Sequence, residues 1–318
     1  MTRVSHRDQF RLSKPELREL CQVSTARGLG AIAVQWLVIL AAIAAALTVN
    51  AWWSYVGAVI VIGTRQHALA VLMHDASHYL ITRHKRLNDV VASLFLSFPI
   101  LTSTTRYRTH HGLHHRHVNT EQDPDDNNRE MFKSRWDMFV TALKDVTAYN
   151  SMTSVGTLSH FGITGPMTKP AGHADGVSQF EKRLAWAFYG LVLTGIAVFG
   201  LWIEFLLFWV LPMATVLPPI LRFRALAEHG GCADDSDLTL ARTVTPGWVE
   251  RALLAPCNVH YHLEHHLYPG IPFYNLPTAS KQLHQREIYA AQAHVNDGYF
   301  IGERRVVDEV VLSTATAS

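Results

Sequence analysis

The chain is poor in cysteine, in net charge and in the apolar leader of a secreted protein. Its 318 residues include three cysteines, Cys21, Cys232 and Cys257, and no CxxC pair. This excludes a disulfide framework and makes a thiolate metal site a poor explanation of the chain. A formal net charge of +2 gives no reason to expect a nucleic acid partner. The opening residues, MTRVSHRDQF, are polar, and we expect no signal peptide.

Long apolar stretches, in contrast, are abundant. Residues 28–49 carry no charge, and a second apolar run covers 52–73 with Arg65 inside it. After a long polar region, two more runs occupy 184–201 and 202–221. Each run has about the length of 17 to 25 residues that a helix needs to cross a bilayer. Because the connectors within each pair are very short, the sequence predicts an all-α membrane protein with four transmembrane helices in two hairpins.

The basic residues predict how these helices are oriented. All but one of the 28 lysines and arginines lie in residues 1–27, 74–183 and 222–318. By the positive-inside rule, these three regions face the cytoplasm, so both termini are expected there. Buried helices of a soluble protein are the alternative, and the paired spacing and charge asymmetry argue against it. We expect a cytoplasmic segment at 1–27, one catalytic domain at 28–290 and a tail at 291–318.

Histidine is in excess, with nineteen in the chain, and the histidines are clustered. Five of the eight residues from His110 to His117 are histidine. A second cluster, HDASH, follows the second apolar run, and AEHGG follows the fourth. The last cluster, NVHYHLEHHLYP, begins at Asn258. The predicted topology places every cluster at or beyond a cytoplasmic helix end, in a helical cap.

Helical spacing brings many of these rings onto shared faces. Positions i, i+3 and i+4 lie on one side of an α-helix. His260 points away from the last cluster's face, whereas Asn258 shares it. His110 and His117 form a stripe with His114, so spacing alone leaves them open. The rings that share faces in this way are His74 and His78, then His111, His114 and His115, then His262, His265 and His266.

Bound metal ions would remove the repulsion among these imidazoles, because each ring would donate a lone pair to an ion. Neutral imidazole is the commonest metal ligand and suits iron, zinc, copper and nickel. One four-coordinate ion would use four of the eight histidines above, to which His229 adds a ninth, so the count favours two ions. His67 shares the face of His74, and we interpret it as a packed residue rather than a ligand. Acidic neighbours could fix the rings by hydrogen bonds: Asp75, Asp123, Asp125, Glu228 and Glu264.

Three motifs in this order resemble the membrane fatty acid desaturase superfamily. They are HxxxH at His74–His78, YRxxHxxHHxxxN at Tyr107–Asn119, and HxxHH at His262–His266. The resemblance covers roughly residues 30–290. The segment from Arg222 through AEHGG and on to PFYNLP is most similar to bacterial desaturase-like proteins, a subgroup that includes lipid and non-lipid substrates.

The resemblance implies a non-haem di-iron centre that uses O2 and two electrons to dehydrogenate an unactivated acyl chain. It favours His111 over His110 as a ligand, adds His229, and places Asn258 as a water-linked or outer partner. The substrate would be an acyl lipid, acyl-CoA or acyl-carrier protein. No HPGG haem-binding signature occurs, so we expect a separate ferredoxin or cytochrome with its reductase.

Three other functions remain open on this reasoning. The same ligands would serve a hydroxylase or ketolase of a lipid or carotenoid, because the motifs do not fix where the substrate carbon sits. A small polar substrate is the second alternative. A metal transporter or sensor is the third, and it predicts ionisable groups at mid-membrane rather than at helix ends.

Overall fold

The chain folds into two units that share three helices. The computed structural model describes residues 5, 7–125, 131–153, 177–233 and 235–311. Parts of the predicted terminal segments, 1–4, 6 and 312–318, therefore lie outside the described residues. We call residues 24–111 and 142–221 the apolar unit, and residues 1–23, 112–141 and 222–318 the polar unit.

The helices long and apolar enough to cross a membrane lie wholly or mostly in the apolar unit. Among the described residues there are four: Thr25–Val49, Trp52–Ser77, Gln179–Phe199 and Trp202–His229. The prediction of a mostly helical chain with four candidate spans is confirmed. The fourth helix runs on well past the predicted end at 221 and so carries His229 at its last turn.

The helices of this unit, with those that begin or end at its boundary, alternate long spans with short kinked pieces. A five-residue π-helix, Ser93–Ser97, and a 3-10 turn, Phe98–Ile100, follow the helix Lys85–Ala92. A second π-helix, Leu206–Val210, interrupts the last span. The α-helices are α3 (Thr25–Val49), α4 (Trp52–Ser77), α5 (Lys85–Ala92), α6 (Thr104–His117), α7 (Arg135–Val146), α8 (Tyr149–Thr153), α9 (Gln179–Phe199), α10 (Trp202–Phe205), α11 (Leu211–Thr215) and α12 (Leu217–His229).

A kinked apolar segment between α5 and α6 is a feature that the sequence reasoning missed. The stretch Lys85–Ile100 meets α6 at an angle of 89°. Its irregular backbone frees carbonyl groups, and three aromatic side chains donate to them: Trp36 to Phe95 at 3.0 Å, Tyr189 to Phe98 at 3.0 Å and Trp209 to Pro99 at 2.9 Å. A chain at membrane depth needs such partners because lipid tails supply none.

Beside this segment lies a cavity of about 1080 Å³. It is bounded by α3, the kinked segment, α9 and the last span, and its wall is almost wholly apolar. Glu204 is the one charged residue among the described residues that line it, and none of those lining residues is a histidine.

The polar unit is built on short helices and a two-stranded parallel sheet. Its strands pair Thr243 with Val295 and Val244 with Asn296. Besides its parts of α6, α7 and α12, it contains α1 (Arg7–Phe10), α2 (Lys14–Leu20), β1 (Thr243–Val244), α13 (Trp248–Leu254), a 3-10 turn (Pro256–Asn258), α14 (His262–Leu267), α15 (Leu276–Leu283), α16 (Glu287–Gln292), β2 (Val295–Asn296) and α17 (Val306–Glu309).

The apolar core of this unit positions the last histidine cluster, which lies on α14. Leu263 and Leu267 of α14 join a buried cluster with Leu238, Leu240 and Leu283. Each buried leucine stabilises the fold by about 1.5 to 3 kcal/mol. Because the leucines hold one face of α14 in the core, the histidines on its other positions have a fixed direction.

Candidate metal centre

Four histidines from three segments of the polar unit meet at one point. His114 comes from α6, His229 from the end of α12, and His262 and His266 from α14. All four are buried, with 3 to 8% of each residue exposed. The Nε2 atom of His262 lies 3.0 Å from that of His229 and 3.0 Å from that of His266, which lies 3.3 Å from that of His114. We call these residues the four-histidine group.

These distances fit a shared metal ion. Two imidazole nitrogens held about 2.1 Å from one ion, at angles of 90° to 110°, lie about 3.0 to 3.4 Å apart. Rings protonated on Nδ1 would face each other with lone pairs at this spacing, and fully protonated rings would repel, unless an ion lies between them. The group therefore has the donor atoms, the convergence and the burial of a divalent metal site.

The outward nitrogens of two of these rings are hydrogen-bonded to acceptors, and a carboxylate lies near that of a third. Nδ1 of His114 lies 2.8 and 3.0 Å from the two carboxylate oxygens of Asp123. Nδ1 of His229 lies 3.1 Å from the carbonyl oxygen of Leu240. Nδ1 of His262 lies 3.4 Å from Glu228, whose carboxylate also accepts from Arg224 at 2.7 Å. An acceptor at Nδ1 places the proton there and leaves Nε2 as the lone-pair donor to a metal.

Asn119 connects two of these acceptors. Its backbone N–H donates to Asp123 at 2.9 Å, and its side-chain amide donates to the Leu240 carbonyl at 2.7 Å. Asn119 is buried and adopts a left-handed conformation with φ 60°, which asparagine tolerates better than most residues. One side chain thus links the supports of His114 and His229.

Two further histidines of the polar unit form a pair beside this group. The Nε2 atoms of His115 and His265 lie 3.0 Å apart, and their rings meet edge to face. Their neighbours in sequence, His114 and His266, belong to the four-histidine group. Adjacent histidines of one helix therefore serve different sets.

The apolar unit gathers its own three histidines. The His111 ring centroid lies 4.5 Å from that of His74 and 5.0 Å from that of His78, and Tyr107 stacks on His111. We call His74, His78 and His111 the three-histidine group.

Arg108, next to Tyr107, fixes the end of the helix that carries this group. It donates to the backbone carbonyls of Ala76 and Ser77 and to Asp89 at 2.6 to 3.1 Å. This gives the YR pair of the second motif a physical role, in which Tyr107 packs against a candidate ligand and Arg108 secures the end of α4.

Burial and neighbouring charges shift the histidines in opposite directions. Burial alone would lower the pKa of His114, but its hydrogen bond to Asp123 and the nearby Asp125 raise it above the usual range. Burial lowers the pKa of His78 to about 4, helped by Arg108. Burial and the surrounding rings lower the pKa of His266 well below its usual value. A neutral ring is what metal binding requires.

The predicted outer partners occupy different places. Asp75 lies 3.6 Å from Nδ1 of His74, and Glu228 contacts His262. Glu264 accepts a hydrogen bond from Thr243 instead of from a ring. Asn258 accepts from Arg251 at 2.5 Å and donates to the carbonyl of Phe273 at 3.0 Å, so its side chain braces a turn.

Three other histidines lie outside these groups, and two contributors to the site were not predicted from the sequence. His67, His110 and His117 belong to no group of described residues whose ligand atoms lie within 4.8 Å of one another. The sequence reasoning missed the roles of Asn119 and of the Leu240 carbonyl. A backbone oxygen leaves no signal in residue type, and Asn119 was visible only as the last letter of a motif.

The family of the chain follows from its sequence and agrees with this site. A fatty acid desaturase family model matches residues 50–299, and the chain belongs to that family. The chain is also 30% identical over 314 residues to dihydrorhizobitoxine desaturase of Bradyrhizobium elkanii. The alignment covers 94% of this chain and 88% of that protein. A desaturase-type reaction is therefore the chemistry to which the histidine clusters belong.

Proposed function

We propose that the chain is an O2-dependent desaturase with two histidine-bound iron ions. The four-histidine group carries the proposal, because its four buried Nε2 atoms fit one ion. The reaction would convert a CH2–CH2 unit, O2, two electrons and two protons into a CH=CH unit and two waters. Bound iron would supply the activation of O2, and the chain's own residues orient the imidazoles and hold them away from bulk water.

The ligand set of the second iron rests on the sequence motifs. Its proposed ligands are the predicted histidines outside the four-histidine group: His74, His78, His111, His115 and His265. Asp75, Glu228 and Glu264 remain the proposed carboxylate partners, with Asn258 as a water-linked group. The fit of an imidazole-only site to iron rather than zinc follows from the family, since imidazole suits both metals.

We further propose the membrane arrangement that the charge pattern predicts. The four candidate spans would form two hairpins, with both termini and the histidine-bearing cap in the cytoplasm. Residues 28–290 would form the catalytic domain. Electrons would arrive from a separate ferredoxin or cytochrome and its reductase.

An acyl chain, carried as a lipid or a thioester, is the first proposed substrate. The cavity of about 1080 Å³ in the apolar unit supports affinity for an apolar chain, since its size is that of a ligand pocket. Its lining contains no histidine, so it supports the class of substrate and does not define the path to the metals.

A small non-lipid substrate is the second candidate. It is favoured by the similarity to a protein named for desaturating dihydrorhizobitoxine, which is not a lipid, over nearly the full length of both chains. Hydroxylation or ketolation on the same site is distinguished from both by the mass of the product.

The test is expression in a host that supplies a ferredoxin and reductase, followed by mass spectrometry of lipids and of soluble metabolites. A new species about two mass units lighter, absent with His114→Ala and retained with His117→Ala, is expected. His117 is the matched control because it lies on α6 outside the four-histidine group. A lighter lipid supports the acyl proposal, and a lighter soluble compound supports the second candidate. A product that gains only oxygen would overturn desaturation.

A further inference from the structure

Helix α7 (Arg135–Val146) turns its apolar side chains outward. Trp136 is 70% exposed, Phe139 54%, Leu143 51% and Val146 54%. At about 100° per residue these four positions fall within an arc of about 80°. They form one continuous apolar stripe, which we call the α7 stripe.

The one buried residue of α7 is polar and lies on the side away from the stripe. Asp145 is fully buried and accepts a hydrogen bond from Asn150 at 2.7 Å. A helix of a soluble protein buries its large apolar residues and exposes its charges to water. In α7 a carboxylate is buried while four large apolar side chains are exposed, which indicates that its outer surroundings are apolar.

The chain after α7 is joined to a candidate membrane span. Ser151 of α8 donates to the backbone carbonyl of Ala214 at 2.8 Å, and Ala214 lies in the apolar helix Trp202–His229. Tyr149 and Met152 of α8 are exposed, so apolar surface continues from the end of the α7 stripe at Leu143 and Val146 to that span. This end of the stripe is therefore continuous with a surface that the bilayer would contact.

The residues around the stripe are those of a membrane interface. Trp136 and Phe139 stack with their ring centroids 5.4 Å apart. Lys133 and Lys144 are exposed near its two ends, and Lys144 lies 6.0 Å from the centroid of the Tyr149 ring. Tryptophan and lysine concentrate where lipid tails meet headgroups, because each has an apolar body and a polar end.

We propose that α7 lies in the plane of the membrane interface, with the α7 stripe buried among lipid tails. A helix of twelve residues, about 18 Å long, is too short to cross the hydrocarbon core but long enough to lie on it. The inference does not depend on the desaturase activity or on the metals.

The test uses spin labels on the full-length chain in lipid nanodiscs, with Cys21 and Cys257 replaced by serine. Labels at Trp136→Cys, Phe139→Cys and Leu143→Cys read the stripe, and Lys144→Cys on the flank is the matched control. Collision with O2, which concentrates in lipid, is compared with collision with a water-soluble nickel chelate. Val146→Cys replaces any variant that is not monodisperse.

The expected result is an O2-to-nickel collision ratio several-fold higher at the three stripe positions than at Lys144→Cys. Equal, nickel-dominated ratios at all four positions would show a stripe in water and overturn the proposal. Low collision with both reagents at the stripe would show that protein, from a partner or a second copy, covers it, and would also overturn the proposal.

Discussion

The two histidine groups are supported in different ways. In the four-histidine group, Nε2 atoms converge to 3.0–3.3 Å, and three rings have an acceptor within 3.4 Å of Nδ1. Both groups pack ring against ring, with centroids 4.6 to 5.0 Å apart in the first and 4.5 to 5.3 Å apart in the second, where Tyr107 also stacks on His111. The first group combines this packing with hydrogen bonds to Asp123 and the Leu240 carbonyl, and the second combines it with the stacked Tyr107. Their tolerance of substitution should differ accordingly.

Removing a ligand from the four-histidine group should have the largest effect. His266→Ala leaves three imidazoles around the ion, and iron affinity should fall by more than the roughly 100-fold typical of an outer partner. Product formation should be lost with it. Iron content per chain, measured on protein purified in detergent, checks this, with His117→Ala as the control. Wild-type iron content in His266→Ala would refute the ligand assignment.

Asp123→Asn should follow, because it removes the charged acceptor of His114. The amide cannot hold Nδ1–H as strongly, and metal affinity should fall by about 10- to 100-fold. Co(II) titration followed by visible absorbance measures it. Glu121→Gln, an exposed carboxylate on the same turn, is the matched control. Equal affinities in the two variants would mean that His114 is oriented by other contacts.

Asn119→Gly tests the link between two ligands. Glycine accepts the left-handed backbone but removes the amide that binds the Leu240 carbonyl, at a cost of about 1 to 2 kcal/mol in unfolding free energy. The expected result is about 10-fold weaker Co(II) binding with an altered absorbance spectrum. An unchanged spectrum with lowered stability would show that Asn119 supports only the fold.

Asp75→Asn should have a smaller effect on metal binding, and so sharpens the comparison. Its carboxylate lies 3.6 Å from Nδ1 of His74, beyond a direct hydrogen bond. Metal affinity should change by less than about 10-fold, below the range for a bonded partner. The same Co(II) titration applies, and a loss as large as that of Asp123→Asn would remove the distinction between the groups.

Acid should separate the groups in the metal-free protein. Because the pKa of His114 is raised in the folded protein, its pairing with Asp123 stabilises the fold at pH values below the unfolded pKa of histidine. This stabilisation is lost as pH rises through the folded pKa of His114. The pKa of His78, lowered to about 4, acts oppositely, so stability falls as pH drops from about 6.5 toward 4. Nitrogen-15 NMR spectra of labelled histidine check this. The prediction is contradicted if His78 becomes protonated at a higher pH than His114.

The sequence predicted the helices but not which histidines would form each group. Apolar length predicted four spans, and helical spacing predicted which rings share a face. That same spacing grouped His262, His265 and His266, whereas the structure sends His265 to His115 and the other two to the four-histidine group. Neighbouring positions differ by about 100°, and tertiary packing decides which set each ring joins.

One support of the site was hidden for a related reason, because Leu240 contributes a backbone oxygen. Asp123 was among the predicted acidic partners, but it follows His114 by nine residues across a turn, so no helical period paired it with that ring. The kinked segment before α6 was missed because serine and proline interrupt its apolar run, and its carbonyls are satisfied by side chains from three distant positions.

Anomalous diffraction from iron-loaded crystals tests the central claim most directly. The account predicts an iron peak about 2.1 Å from the Nε2 atoms of His114, His229, His262 and His266. The peak should vanish in His266→Ala crystals and persist in His117→Ala crystals. Iron bound elsewhere in the chain, with this position empty, would contradict the account.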